Sequence, residues 1–161
     1  MQCKDRLEQY LHEHQIPFQV QQHPIAFTAQ DVAYREHIPG KMVAKVVIAF
    51  ADGKMVMLAL PAPYRVNFSR AAPALGAKEV HLAEESELSA AFPDCEVGAM
   101  PPFGNLYHLP VYVDKSLAED DTIVFPVGTH TETMSLKYAD FERLVTPTVA
   151  EFVQPAQTAL R

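Results

Sequence analysis

Chemistry in this chain must come from a few residues. Lys45 lies in Met42-Val-Ala-Lys-Val-Val-Ile-Ala-Phe50, a run that is apolar on both faces when read with a strand's period of two. Val43, Val47 and Ala49 share the lysine's face. A lysine placed there has two roles open to it. Its stem can pack while the ammonium reaches the edge, or the cation can point into a cleft and hold an anionic or carbonyl group. Gly98-Ala-Met-Pro-Pro-Phe-Gly104 is the second feature. Pro101 and Pro102 fix φ at consecutive positions, and Gly98 and Gly104 reach backbone geometries closed to other residues. Such a loop is a rigid connection, or it presents N–H and C=O groups to a ligand. The third feature is Gly128-Thr129-His130, which follows the strand-like TIVFPV. A histidine after a glycine at a strand end is either simply exposed or available to donate and accept.

Other chemistries lack residues. The six glycines form no G-x-G-x-x-G, no P-loop and no G-x-S-x-G elbow. His12 and His14 are two apart on a helix and do not share a face. His23, His37, His81 and His108 show no ligand spacing, and neither H-E-x-x-H nor C-x-x-C occurs. No metal and no cofactor is expected. Cys95 has no assigned base and reads as a structural or incidental thiol. With Cys3 it makes no disulfide framework, which suits a reducing compartment.

The elements that must position these residues follow from pattern. Residues 4–14 place Leu7, Tyr10 and Leu11 on one helical face. Residues 18–22 alternate as a strand. Thr28-Ala-Gln-Asp31 resembles a capping box and predicts a helix to about His37. Residues 42–50 and 54–60 are strands joined at Asp52-Gly53, a strong hairpin signal. Asn67 or Ser69 opens a short helix to Leu75, closed by Gly76. A strand at 79–82 precedes a helix at 84–92 with acidic residues at its start. After the long loop come strands at 109–114, 122–127 and 131–136 and a last helix at 138–145 with Phe141 and Leu144 inward. A loose tail is expected from 153 to 161. The order predicts one mixed α/β domain over 1–152.

A length of 161 residues suits one domain burying roughly 70% of its unfolded surface. With 48% hydrophobic and 20% charged residues, whole-chain disorder is excluded. No apolar run approaches the roughly 18 residues of a membrane span. The N-terminus, carrying Lys4, Asp5 and Arg6, does not resemble a signal peptide. These readings predict a cytoplasmic protein with no membrane partner. The formal net charge is −7; residues 1–80 carry a small positive excess and residues 81–161 the acidic excess. An acidic chain is a poor general nucleic-acid binder, and no DNA partner is expected. Arg35, Lys41, Lys45, Arg65 and Arg70 leave room for a local basic patch.

In order, the chain shows an apolar strand with A-K-V-V, then G-A-x-P-P-F-G, then L-P-V-Y-V-D, then a G-x-H turn and a terminal D-F-x-R-L helix. This resembles the YbaK-type aminoacyl-tRNA deacylases, free-standing relatives of the editing domain in bacterial prolyl-tRNA synthetases. The likeness runs from about Leu7 to Pro147. It implies a mixed α/β fold around a central, largely antiparallel sheet flanked by short helices. It implies hydrolysis of the ester between a wrong, small amino acid and a tRNA such as that for proline. The partners implied are the 3′ acceptor end of aminoacyl-tRNA and prolyl-tRNA synthetase. By the same resemblance, Lys45, Gly98, Pro102 and His130 would serve catalysis. Thr28, Met100, Pro101, Phe103, Gly104, Gly128 and Thr129 would bind substrate. Many members carry Asn-Ala before the glycine of the last turn; this chain has Pro126-Val127 there. Two other classes stay open: a non-catalytic module binding an acceptor end or a synthetase, and a small-ester hydrolase that does not use tRNA.

Overall fold

A computed structural model of the chain describes residues 2–23 and 39–155. The helix expected from Thr28 lies outside the described residues. In α1 (Cys3–Glu13), Leu7 and Leu11 stack one turn apart and are fully buried, with Tyr10 packed beside them. After β1 (Gln19–Gln22), β2 (Ala44–Ala51) and β3 (Lys54–Pro61) form the expected hairpin, with Ala51 opposite Lys54. Asp52 and Gly53 turn it with φ of 50° and 82°, the double-positive combination of a type I′ turn. β4 (Tyr64–Val66) leads to α2 (Phe68–Ala74), whose Asn67 cap accepts from the N–H groups of Ser69 and Arg70 at 3.0 and 3.2 Å. β5 (Val80–Leu82) leads to α3 (Glu85–Ala91), opened by a Glu84–Glu87 capping box. Then follow β6 (Val111–Asp114), α4 (Lys115–Ala118), β7 (Thr122–Pro126), β8 (Glu132–Lys137), α5 (Tyr138–Val145), β9 (Thr148–Ala150) and β10 (Val153–Pro155).

The strands make a five-stranded sheet ordered β5-β2-β3-β6-β9, a three-stranded sheet ordered β1-β8-β7 and a β10-β4 pair. The expectation of a largely antiparallel architecture holds, but β6 lies parallel to both β3 and β9. Alternation along β2 sorts its side chains. Ala44 and Ile48 join a core with Leu7, Met57, Phe103, Phe125, Met134 and Phe141 that spans both larger sheets. Ala49, with Val47 packed beside it, joins Leu58, Leu60, Ala71 and Phe152 in a second core on the other face. The hairpin is therefore covered on both sides, as its two-faced apolar run requires.

The expected tail needs correcting at its start. Val153–Pro155 pairs antiparallel with β4, and Phe152 is fully buried. Buried Asp114 anchors this stretch by accepting from the Phe152 N–H at 2.9 Å while also holding Ser116. Composition could not show this, because the partner strand lies far away in sequence.

Candidate functional site

The turn between β7 and β8 is stitched to the loop that follows α3. Gly128 donates its N–H to the Ala99 carbonyl at 2.8 Å, and its own carbonyl accepts from the Glu96 N–H at 2.8 Å. The turn requires φ of +99° at Gly128, and the loop requires +86° at Gly98, so both positions favour glycine. His130 is locked across the same seam. Its backbone N–H donates to Glu96 Oε1 at 3.0 Å, and its ring Nε2 lies 3.0 Å from the Val97 carbonyl. A carbonyl only accepts, so Nε2 carries the hydrogen and Nδ1 is the ring's acceptor nitrogen. Glu96 Oε1 also lies 4.0 Å from Nε2. A Cβ added at Gly98 would stand 3.6 Å from His130 Cε1, so Gly98 and His130 are immediate neighbours.

The rest of the loop is buried from Ala99 to Gly104. Phe103 packs its ring on Tyr10, Phe125 and Phe141, and Met100 belongs to the same core. Gly104 has no room for a side chain: a Cβ would come within 2.8 Å of Val111 Cγ2. Met100, Phe103 and Gly104 thus pack in the core and fix the loop's course. Pro101 and Pro102 are buried within the same stretch. Gly128 and Thr129 border a cleft of about 250 Å³ shared with Cys3, Lys4, Asp94 and Glu132. A larger cleft of about 580 Å³, lined by Arg70, Pro73, Lys115, Val149 and Glu151, contains none of the expected site residues.

Lys45 reaches this region by a different route. Val43 bridges Val124 in parallel, so β2 and β7 leave the bridge in the same direction. Lys45 and Pro126 each stand two residues past it, which carries Lys45 toward the end of the molecule where the Gly128 turn begins. From there the chains part, β2 into the five-stranded sheet and β7 into the three-stranded one. The lysine stands opposite Leu60 on the face of the second core, whereas Met100 and Phe103 lie in the first. It is not in hydrogen-bonding contact with the Gly98 loop. Among the described residues Lys45 has no hydrogen bond and no ion pair. Its partial burial, together with nearby Arg65, holds its pKa below the ordinary lysine value. The structure thus brings Gly98, Gly128, Thr129 and His130 together, while Lys45 is bonded to none of them. Thr28 lies outside the described residues. Glu96, which grips both the histidine and the turn, does not stand out in the sequence, because nothing in PDCEVG marks one acid as a partner for a residue so distant.

Among the described residues, no group of three or more His, Cys, Asp or Glu side chains is placed to hold a metal, and no helix is long and apolar enough to cross a membrane. The profile of the aminoacyl-tRNA editing domain matches residues 23–144. No curated protein matches the chain. Among solved structures, a hypothetical protein shares the fold at a TM-score of 0.83 and 15% identity, over 92% of this chain and 99% of that one. A candidate trans-editing enzyme for prolyl-tRNA synthetase superposes at 0.81 with 18% identity, over 94% and 97%. A candidate signal-transduction protein from Marinobacter aquaeolei superposes at 0.72 with 15% identity over 96% of this chain, but the match spans only 31% of that protein.

Proposed function

The chain belongs to the aminoacyl-tRNA editing domain family, and from that premise we propose that it hydrolyses the ester of a mischarged aminoacyl-tRNA in trans. The amino acid is small and the tRNA is that for proline or a similar one. The observation that supports this reading best is the Gly98–Gly128–His130 seam, with a lysine that has no partner among the described residues. An aminoacyl ester is already activated, so a modest site suffices. It must hold the acceptor end, admit one water to the carbonyl carbon and stabilise the oxyanion that develops.

Lys45 supplies a cation for the acceptor end or the oxyanion. Its charge is not spent on any described residue, so contact with substrate gains a partner without breaking an existing pair. Gly98 offers backbone close to the reacting group, and His130 forms the wall beside it. Pro101 and Pro102 stiffen the loop, so little entropy is lost when substrate docks. No triad is required: the neighbouring ribose hydroxyl of the tRNA's terminal nucleotide accepts the water's proton and passes its own proton to the departing ribose oxygen as the ester breaks. Editing of this kind is needed because small apolar side chains differ by only roughly 1–3 kcal/mol in binding.

The test is a deacylation screen across tRNAs mischarged with small amino acids. Hydrolysis of at least one of them well above the spontaneous rate is expected. Binding to acceptor ends without hydrolysis would replace the enzyme with a recognition module, and hydrolysis of small esters without RNA would remove tRNA from the account.

A further inference from the structure

Cys3 and Cys95, remote in sequence and unused in the mechanism above, meet at one phenol. The Tyr107 hydroxyl lies 3.4 Å from Cys95 Sγ and 3.7 Å from Cys3 Sγ, and both thiols are free. The backbones are also tied together, because the Cys3 N–H donates to the Asp94 carbonyl at 3.1 Å. Around them stands a polar frame. Tyr107 donates to the Asp94 carboxylate, with its oxygen 3.0 and 3.1 Å from the two carboxylate oxygens. Arg6 pairs with the same carboxylate at 3.5 Å, lies 4.5 Å over the Tyr107 ring and donates to the Leu106 carbonyl. Packing alone does not require two sulfurs to share one hydroxyl inside such a frame. The site is reachable, since Cys95 is partly exposed and Cys3 borders the cleft of about 250 Å³.

We propose that Cys3 and Cys95 form an oxidation site, converted by a hydroperoxide into an intramolecular disulfide that ties the first turn of α1 to the loop carrying Gly98. The Cys3 sulfur attacks as thiolate on one oxygen of the hydroperoxide. The O–O bond breaks, the alcohol leaves with a proton, and Cys3 becomes a sulfenic acid. The Cys95 sulfur then attacks the Cys3 sulfur, an S–S bond forms, the S–O bond breaks, and the hydroxyl leaves as water with the Cys95 proton. Two electrons pass from the thiol pair to the peroxide, and a reducing thiol reverses the change. The roles follow the surroundings. Contact with Cys95 holds the Cys3 thiol below its usual range, with help from Tyr107 and Arg6 and against burial and Asp94. Contact with Cys3 and burial push the Cys95 thiol up.

Geometry favours closure. Disulfides need neighbouring backbones with converging side chains, which the Cys3–Asp94 hydrogen bond and the shared phenol provide. Cys3 is also the residue that Gly128 packs against, since a Cβ at Gly128 would fall 2.9 Å from Cys3 Cβ. The bond would therefore stiffen the seam that holds His130.

The experiment treats the reduced full-length chain with hydrogen peroxide, blocks remaining thiols by alkylation and maps the unreduced peptides by mass spectrometry. The expected result is one peptide joining Cys3 to Cys95, loss of alkylation at both cysteines together, reversal by dithiothreitol and a raised melting midpoint. In Cys95→Ser, oxidation should stop at a sulfenic acid on Cys3 that a dimedone probe captures. Tyr107→Phe should still form the bond, because the backbone contact remains. Two alkylatable thiols after oxidation, dimers linked between chains, or over-oxidation without a cross-link would overturn the proposal. These readouts are chemical, so they stand apart from the test of deacylation.

Discussion

His130 and Lys45 are held in opposite ways. His130 is bonded at its backbone and at its ring, by Glu96 and the Val97 carbonyl. Lys45 has neither a hydrogen bond nor an ion pair among the described residues, and the residue is partly buried. One side is finished by the protein itself. The other keeps a partly buried cation without a described partner, a costly arrangement unless a ligand supplies one. Under the proposed function, the bonded side would supply shape and the unbonded side would supply charge.

The largest effect should come from the unbonded side. Lys45→Ala should slow deacylation roughly 10- to 150-fold for each charge-assisted hydrogen bond that the ammonium makes to substrate, while melts show an intact fold. A cooperative melt with wild-type rates would remove the lysine from the mechanism. Next comes the bonded side. Gly128→Ala combines a positive φ with a Cβ only 2.9 Å from Cys3 Cβ, so it should cost roughly 1–3 kcal/mol of stability in denaturant titration. Gly98→Ala should cost less, about 1 kcal/mol, because its new Cβ meets only an ordinary contact 3.6 Å away and the penalty is backbone strain. Similar destabilisation at the two glycines would mean that the approach to Cys3 does not matter.

The smallest expected effect is on pH dependence. Lys45 has a folded pKa below the ordinary lysine value, so the unfolded chain binds this proton more tightly. Its contribution to stability therefore rises with pH between the lowered folded pKa and 10.5. Lys45→Met should raise the melting midpoint at neutral pH and flatten that rise in alkaline buffer. A lower midpoint at neutral pH would show that the ammonium has a stabilising partner after all.

Much of the frame was legible because its signals are local. The Asp52-Gly53 turn, the Asn67 cap and the α5 face with buried Phe141 all depend on residues within a few positions of one another. The short strands β4, β9 and β10 were not legible, since three residues carry too little pattern and each is defined by a distant partner. The site divides the same way. Lys45, Gly98 and His130 stood out as residue types in unusual settings. Glu96 and the Cys3–Cys95–Tyr107 contact did not, because they exist only once the Gly128 turn is stitched to the loop after α3. Burial of Phe103 and Met100 was hidden for the same reason: a stiff loop motif does not reveal which side of it faces a core.

The most direct measurement is single-turnover release of amino acid from a mischarged proline tRNA, run in the presence of chelator with wild-type, Lys45→Ala and Cys95→Ser proteins and with melts as the folding control. The account predicts fast release by wild-type and by Cys95→Ser, and release slowed at least about tenfold by Lys45→Ala. Full activity in Lys45→Ala together with none in Cys95→Ser would contradict it and put a thiol nucleophile in the lysine's place.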